Sequence, residues 1–100
     1  MPKLTKTTGF QWDEANIAHI AKHNVLPEEA EDIFFDENNI RDEDLQHSSD
    51  EERFLIIGKT KRGRLLYQIF TIREDKIRVI SSRDINKKEV KLYEKEASSS

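Results

Sequence analysis

The chain has no cysteine, only three glycines and two prolines, and a single tryptophan. Without thiols it can build neither a disulfide framework nor a thiolate metal site, and a cysteine nucleophile is excluded. No apolar run approaches the roughly 20 residues that span a bilayer, and Met1-Pro2-Lys3-Leu4-Thr5 lacks a signal-peptide core. A soluble cytoplasmic protein is the expectation. Glycine-rich phosphate loops, serine nucleophile elbows and helix-turn-helix spacing are missing too. With 100 residues there is room for one domain and a modest core.

Charge is what the chain has in quantity, and it is unevenly distributed. Residues 1–52 hold 4 Lys/Arg against 14 Asp/Glu, whereas residues 53–100 hold 13 against 6, so a half of −10 precedes a half of +7. A basic half sets the field that an approaching phosphate feels even when the total is −3. The plainer reading, that acidic helices neutralise basic strands, stands beside it.

The pattern predicts an α+β fold of two N-terminal helices, an antiparallel sheet of about four strands in a meander, and a C-terminal helix. Asp13 is placed as an N-cap before a run from Glu14 to His23 with Ile17, Ile20 and Ala21 at helical spacing. Pro27, Glu28 and Glu29 suit the first turn of a second helix ending near Phe35. Ile40 and Leu45 allow a short edge strand in an acidic stretch. Phe54 to Ile57, Leu65 to Ile72 and the strand opened by Ile77 are joined by short turns. Asn86 and Glu89 form a capping box for a last helix to about Glu96. The expected boundaries are a flexible 1–9, a domain at 10–96 and a disordered 97–100.

The run Ile77-Arg78-Val79-Ile80-Ser81-Ser82-Arg83 sets arginines and serines in a strand that otherwise reads as buried. Strict alternation puts Ile77, Val79, Ser81 and Arg83 on one face and Arg78, Ile80 and Ser82 on the other. A guanidinium is seldom buried unpaired, so an ion pair or an anion site is implied.

Phe10-x-Trp12-Asp13, Lys22-His23, Glu51-x-Arg53-Phe54, Gly58, Gly63-Arg64-Leu65-Leu66, Arg73, Ile77-Arg78-Val79-Ile80-Ser81-x-Arg83, Lys88-Glu89 and Tyr93-Glu94 occur in an order that resembles the BrnT toxin family, over roughly residues 10 to 94. The resemblance implies a RelE-like microbial ribonuclease fold. It also implies a type II toxin that cleaves RNA, ribosome-associated RNA among its expected substrates, and inhibits translation, held in check by a ribbon-helix-helix antitoxin similar to BrnA in a hetero-oligomer. Ser82 stands where many members carry Ala. Asn24 stands where Gly is common, and both residues tolerate a left-handed helix terminus.

Metal-independent cleavage of RNA by its own 2′-hydroxyl requires a base, an acid and cations at the phosphate, and gives a 2′,3′-cyclic phosphate and a 5′-hydroxyl. Arg64, Arg78 and Arg83 are the candidates for stabilising the transition state, since a guanidinium makes two-point contacts without losing its charge. Glu51 and His23 are the candidates for proton transfer. Lys59, Lys61, Arg62, Lys87 and Lys88 are expected to contact RNA. Each has a structural alternative: Glu51 can simply orient an arginine, His23 can cap the negative end of its helix, and Trp12 suits the core better than base stacking. His19 and His23 lie four apart, yet a metal site needs a third ligand and only His47 remains; no metal and no cofactor are expected. A non-catalytic partner-binding module, such as a degenerate toxin acting as corepressor, and a simple RNA-binding domain are the rival readings.

Overall fold

The computed structural model describes residues 7–44 and 51–99; Leu45, His47, residues 1–6 and Ser100, with the expectations that fall on them, lie outside. Helix α1 (Glu14–Ala21) and helix α2 (Pro27–Asp32), which continues as one 3-10 turn (Ile33–Phe35), precede the strands. These are β1 (Ile40–Glu43), β2 (Phe54–Lys59), β3 (Leu65–Arg73) and β4 (Lys76–Asp84), and helix α3 (Lys87–Ser99) closes the chain. The sheet is antiparallel in the order β1-β2-β3-β4, the expected meander.

Local chemistry accounts for the element ends. The Asp13 side chain accepts the Asn16 N–H at 3.1 Å while Asn16 Oδ1 accepts the Asp13 N–H at 2.8 Å, which satisfies two donors at the α1 N-terminus. At the other end α1 stops at Ala21, two residues before His23. Asn24 turns left-handed at φ 58°, the Val25 N–H reaches back to the Ile20 carbonyl at 3.2 Å, and the Asn24 N–H reaches that of Ala21 at 3.0 Å. The tight β3–β4 turn holds Glu74 and Asp75 at φ 50° and 65°, the left-handed pair that matches strand twist. Asn86 and Glu89 exchange backbone-to-side-chain bonds of 2.9 Å each, as their spacing predicts, and α3 then runs three residues beyond Glu96.

Ile20, Ala30, Ile33, Ile56, Leu66, Phe70 and Val79 are fully buried, so α1 and α2 cover one face of the sheet. The ring of Phe34 meets Phe10 and Phe70 edge-on, with centroids 5.4 and 5.0 Å apart. Trp12 packs on this cluster and donates its indole N–H to Glu31, the anchoring role rather than the stacking one. Gly58 is required by closeness: a Cβ there would lie 2.8 Å from Ile33 Cβ. Thr8 and Gly9, expected within a flexible segment, hydrogen-bond to Asp75 and Ile77 beside β4.

One expectation is corrected. The register runs Ile69 to Ser81 and then Phe70 to Val79, so Ile80 is an extra residue in β4 and the alternation resets across it. Ser82, not Ser81, shares the core face with Val79; it is 1 % exposed. Arg78, opposite Thr71, and Arg83, opposite Tyr67, therefore share the outer face, although strict alternation separates them.

Candidate functional site

The three arginines nominated from the sequence are each tied to a carboxylate in the first turn of a different helix. Arg78 donates from Nη1 to Asp13 Oδ2 at 2.9 Å and from Nη2 to Oδ1 at 3.2 Å, and Asp13 is the N-cap of α1. Arg83 holds Glu89 through two bonds of 2.9 Å, and Glu89 belongs to the α3 capping box. Arg64 reaches Glu29 at 3.1 Å, while Glu29 also accepts the Leu26 N–H that opens α2. Helix N-termini favour anionic side chains, and each carboxylate is then bridged to a cation on β4 or, for Arg64, just before β3. The Arg78 hydrogen bond holds the Asp13 carboxyl below its usual range, and the Arg83 hydrogen bond does the same for Glu89.

Arg64 is the most committed of the three. Besides Glu29 it donates to Asp84 at 2.8 and 3.3 Å, to the Asn24 carbonyl at 2.7 Å and to the His23 carbonyl at 3.0 Å. Its five N–H groups are thereby all used within the protein. The carbonyls belong to the turn that follows α1, so Arg64 clamps the α1–α2 turn to the ends of β3 and β4. His23 contributes its backbone to this clamp and its ring is exposed.

A different set of side chains converges where α1 crosses β4. A recess of about 240 Å³ is lined by Ala15, Asn16 and His19 from α1, Val79 and Ile80 from β4, and the charged Glu51, Arg53, Arg73 and Arg78. Glu51 lies here as a bidentate partner of Arg73, accepting Nε at 3.1 Å and Nη2 at 2.9 Å. Those bonds hold the Glu51 carboxyl below its ordinary value. Arg73 Nη1 has no hydrogen-bond partner among the described residues, and the side chain is 48 % exposed. The Thr71 hydroxyl donates to the Glu52 carbonyl at 2.7 Å, which fixes the backbone between Glu51 and Arg53.

Of the residues nominated from the sequence, Glu51 and Arg78 meet in this recess; Arg64, Arg83 and His23 lie outside it. Arg83 sits at the far end of β4 with its guanidinium 4.2 Å from the Tyr67 ring centroid, four β3 positions from the Arg78 pairing. Lys61 and Arg62 occupy the exposed β2–β3 turn, Lys59 lies over the Tyr93 ring at 5.7 Å, and Lys87 and Lys88 are exposed at the start of α3. Sequence reasoning passed over Arg73 as a site residue and read His19 only as half of a histidine pair. The signal for Arg73 was its place among the quoted motif residues; for His19 no local pattern marks the recess it lines.

No helix among the described residues is long and apolar enough to cross a membrane. A family model described as ribonuclease toxin, BrnT, of type II toxin-antitoxin system matches residues 12–89. No curated protein matches the chain.

Proposed function

From the premise that this chain belongs to the BrnT family of type II toxin-antitoxin ribonuclease toxins, we propose that it cleaves RNA internally without a metal ion at the recess between α1 and β4. The observation that carries this reading is the gathering of Arg53, Arg73 and Arg78 around one opening, with His19 on its wall. Three guanidinium groups can supply the positive charge that a metal supplies elsewhere, as an RNA phosphate gains charge along the reaction. Arg73 contacts a non-bridging oxygen through Nη1, while Glu51 holds that guanidinium in place.

In this mechanism the 2′-hydroxyl attacks the adjacent phosphorus, the bond to the 5′-oxygen breaks, and the products are a 2′,3′-cyclic phosphate and a 5′-hydroxyl. His19, the imidazole on the recess wall, takes the proton from the 2′-hydroxyl and returns it to the leaving 5′-oxygen, while both Glu51 oxygens are occupied by Arg73. The same reading gives Arg64 and His23 a positioning role and gives Arg83 and the exposed Lys61, Arg62, Lys87 and Lys88 phosphate contacts along the strand. A ribbon-helix-helix antitoxin neutralises the toxin.

The test is cleavage of RNA by purified protein in chelator, with chemical mapping of the new ends. The reading predicts cyclic phosphate ends from wild type and from His23→Ala. It predicts at least a ~100-fold loss per folded molecule in His19→Ala and in Arg73→Ala, with antitoxin affinity unchanged in both. Wild-type protein that binds antitoxin tightly but leaves RNA intact would instead support the non-catalytic module, and undiminished cleavage by His19→Ala would remove that residue from the mechanism.

A further inference from the structure

Phe35 is the most exposed large hydrophobic side chain among the described residues, at 74 %, although its neighbour Phe34 is buried. It stands on the rim of a groove of about 400 Å³ lined by Gly9, Phe10, Phe34, Arg41 and Ile77. The lining is apolar except for Thr7 and one guanidinium, the only charged group in it. Arg41 pairs with the fully buried Ile56 across the β1–β2 register, so it projects from the core-facing side of the sheet into this groove.

Arg41 differs from the arginines described above. Arg64, Arg73, Arg78 and Arg83 each hold a carboxylate. The hydrogen bond from Arg41 runs from Nε to Asn39 Oδ1 at 3.0 Å, and among the described residues no carboxylate lies within ion-pair distance of it. Burial pushes its pKa down, the expected response of a cation partly withdrawn from water without an anion. A chain with 20 acidic residues places none of the described ones here. The edge of β1 away from β2 is also unpaired among the described residues, and an edge strand can accept an extended peptide.

We propose that the groove between Phe35 and Arg41 is a docking site for an extended segment of the antitoxin that carries an aromatic or branched apolar anchor and a nearby carboxylate. The anchor packs against Phe10, Phe34 and Phe35, and the carboxylate makes the two-point contact that Arg41 lacks. A single cation among apolar side chains suits such a peptide and is unsuited to RNA, whose backbone needs a series of cations and whose bases leave a phosphate at every step. This docking site shares no lining residue with the cleavage recess, so capture there is distinct from blocking the recess itself. The inference rests on the toxin-antitoxin reading.

The experiment is calorimetric titration of the antitoxin into wild type, Phe35→Ser, Arg41→Gln and Arg41→Lys, with Lys61→Gln as a remote control, and a thermal melt of each. Both Phe35→Ser and Arg41→Gln should weaken binding at least ~10-fold, because truncated anchors and stripped charge pairs dominate interface losses. Arg41→Lys should recover part of that loss, Lys61→Gln should bind antitoxin as wild type, and RNA cleavage by the free Phe35 and Arg41 variants should be unchanged. Equal affinity of wild type and the groove variants overturns the docking site while leaving the toxin-antitoxin reading intact. Absence of any antitoxin binding to wild type overturns that reading itself. A concentration-dependent dimer of the chain alone, abolished by Phe35→Ser, would assign the groove to a second copy and also overturn the proposal.

Discussion

Arg83 and Glu89 meet through two hydrogen bonds of 2.9 Å, and the oxygen that accepts Arg83 Nη1 also accepts the Asn86 N–H at 2.9 Å. One carboxylate thus caps α3 and fixes a cation on β4. The same arrangement ties α1 to β4 through Asp13 and Arg78 and α2 to the end of the β2–β3 turn through Glu29 and Arg64. Glu89→Gln keeps a cap acceptor but loses the ionic pair. It should destabilise the fold by about 1–2 kcal/mol, read as a lower denaturation midpoint at unchanged m-value.

The acid limb of stability follows from these carboxyls. Asp13, Glu51, Asp84 and Glu89 are all held below their ordinary values, each first by a hydrogen bond from an arginine. Their depressed folded pKa values mean the contribution is fully present above the unfolded values of 3.8 and 4.5 and is lost as pH falls through the lower folded ones. The melting temperature should be level from neutral pH to about 5.5 and fall below about pH 4. A Glu89→Gln variant should show a shallower fall than wild type.

Tyr93 has the opposite sign. Burial, and then its hydrogen bond to Asp36 at 2.6 Å, push its hydroxyl up to about 12. Stability from keeping it neutral is complete below its ordinary value of 10.0 and is lost as pH rises toward 12. Phenolate absorbance should therefore show one tyrosine ionising near 12 in the folded chain, and that late step should vanish in Tyr93→Phe.

Replacing Arg64 separates structure from chemistry. Lysine offers one point charge where five directed donors are used, so Arg64→Lys should cost about 1–3 kcal/mol in urea denaturation. Cleavage per folded molecule should remain near wild type. A variant of normal stability whose cleavage collapses would place Arg64 at the substrate.

Ser82 donates to Gln68 Oε1 at 2.7 Å, and Gln68 Nε2 donates to the Ala30 carbonyl at 3.1 Å, all out of contact with water. Ser82→Ala should leave a buried amide oxygen without its donor and cost about 1–3 kcal/mol. In the background Gln68→Met the same change should cost much less, so a double-mutant cycle measures the coupling.

Elements whose signals are local were legible in the sequence. Asp13 with its downstream helix, the Asn86–Glu89 box, the left-handed Asn24 and the short strand turns depend on residues a few positions apart, and backbone chemistry decides them without help from the rest of the chain. So does the presence of a charged strand rich in arginine. The site was legible only in part, since Glu51 and Arg78 could be nominated but their company could not. Glu51 finds Arg73 rather than the adjacent Arg53, across 22 positions, because the sheet register brings the two together. His19 reaches the recess only because α1 lies across β4.

The bulge at Ile80 shows the limit most directly. Alternation is a property of an ideal strand, whereas one extra residue in β4, set by its pairing with β3, moves Arg83 to the side of Arg78 and sends Ser82 into the core. The sequence by itself determined the kinds of element, their order and the residues that cap them, because those follow from short-range hydrogen bonding and hydrophobic period. Only the tertiary structure decided which carboxylate each arginine holds and why Arg41 meets no carboxylate among the described residues, because long-range contacts depend on register and on how helices cross the sheet.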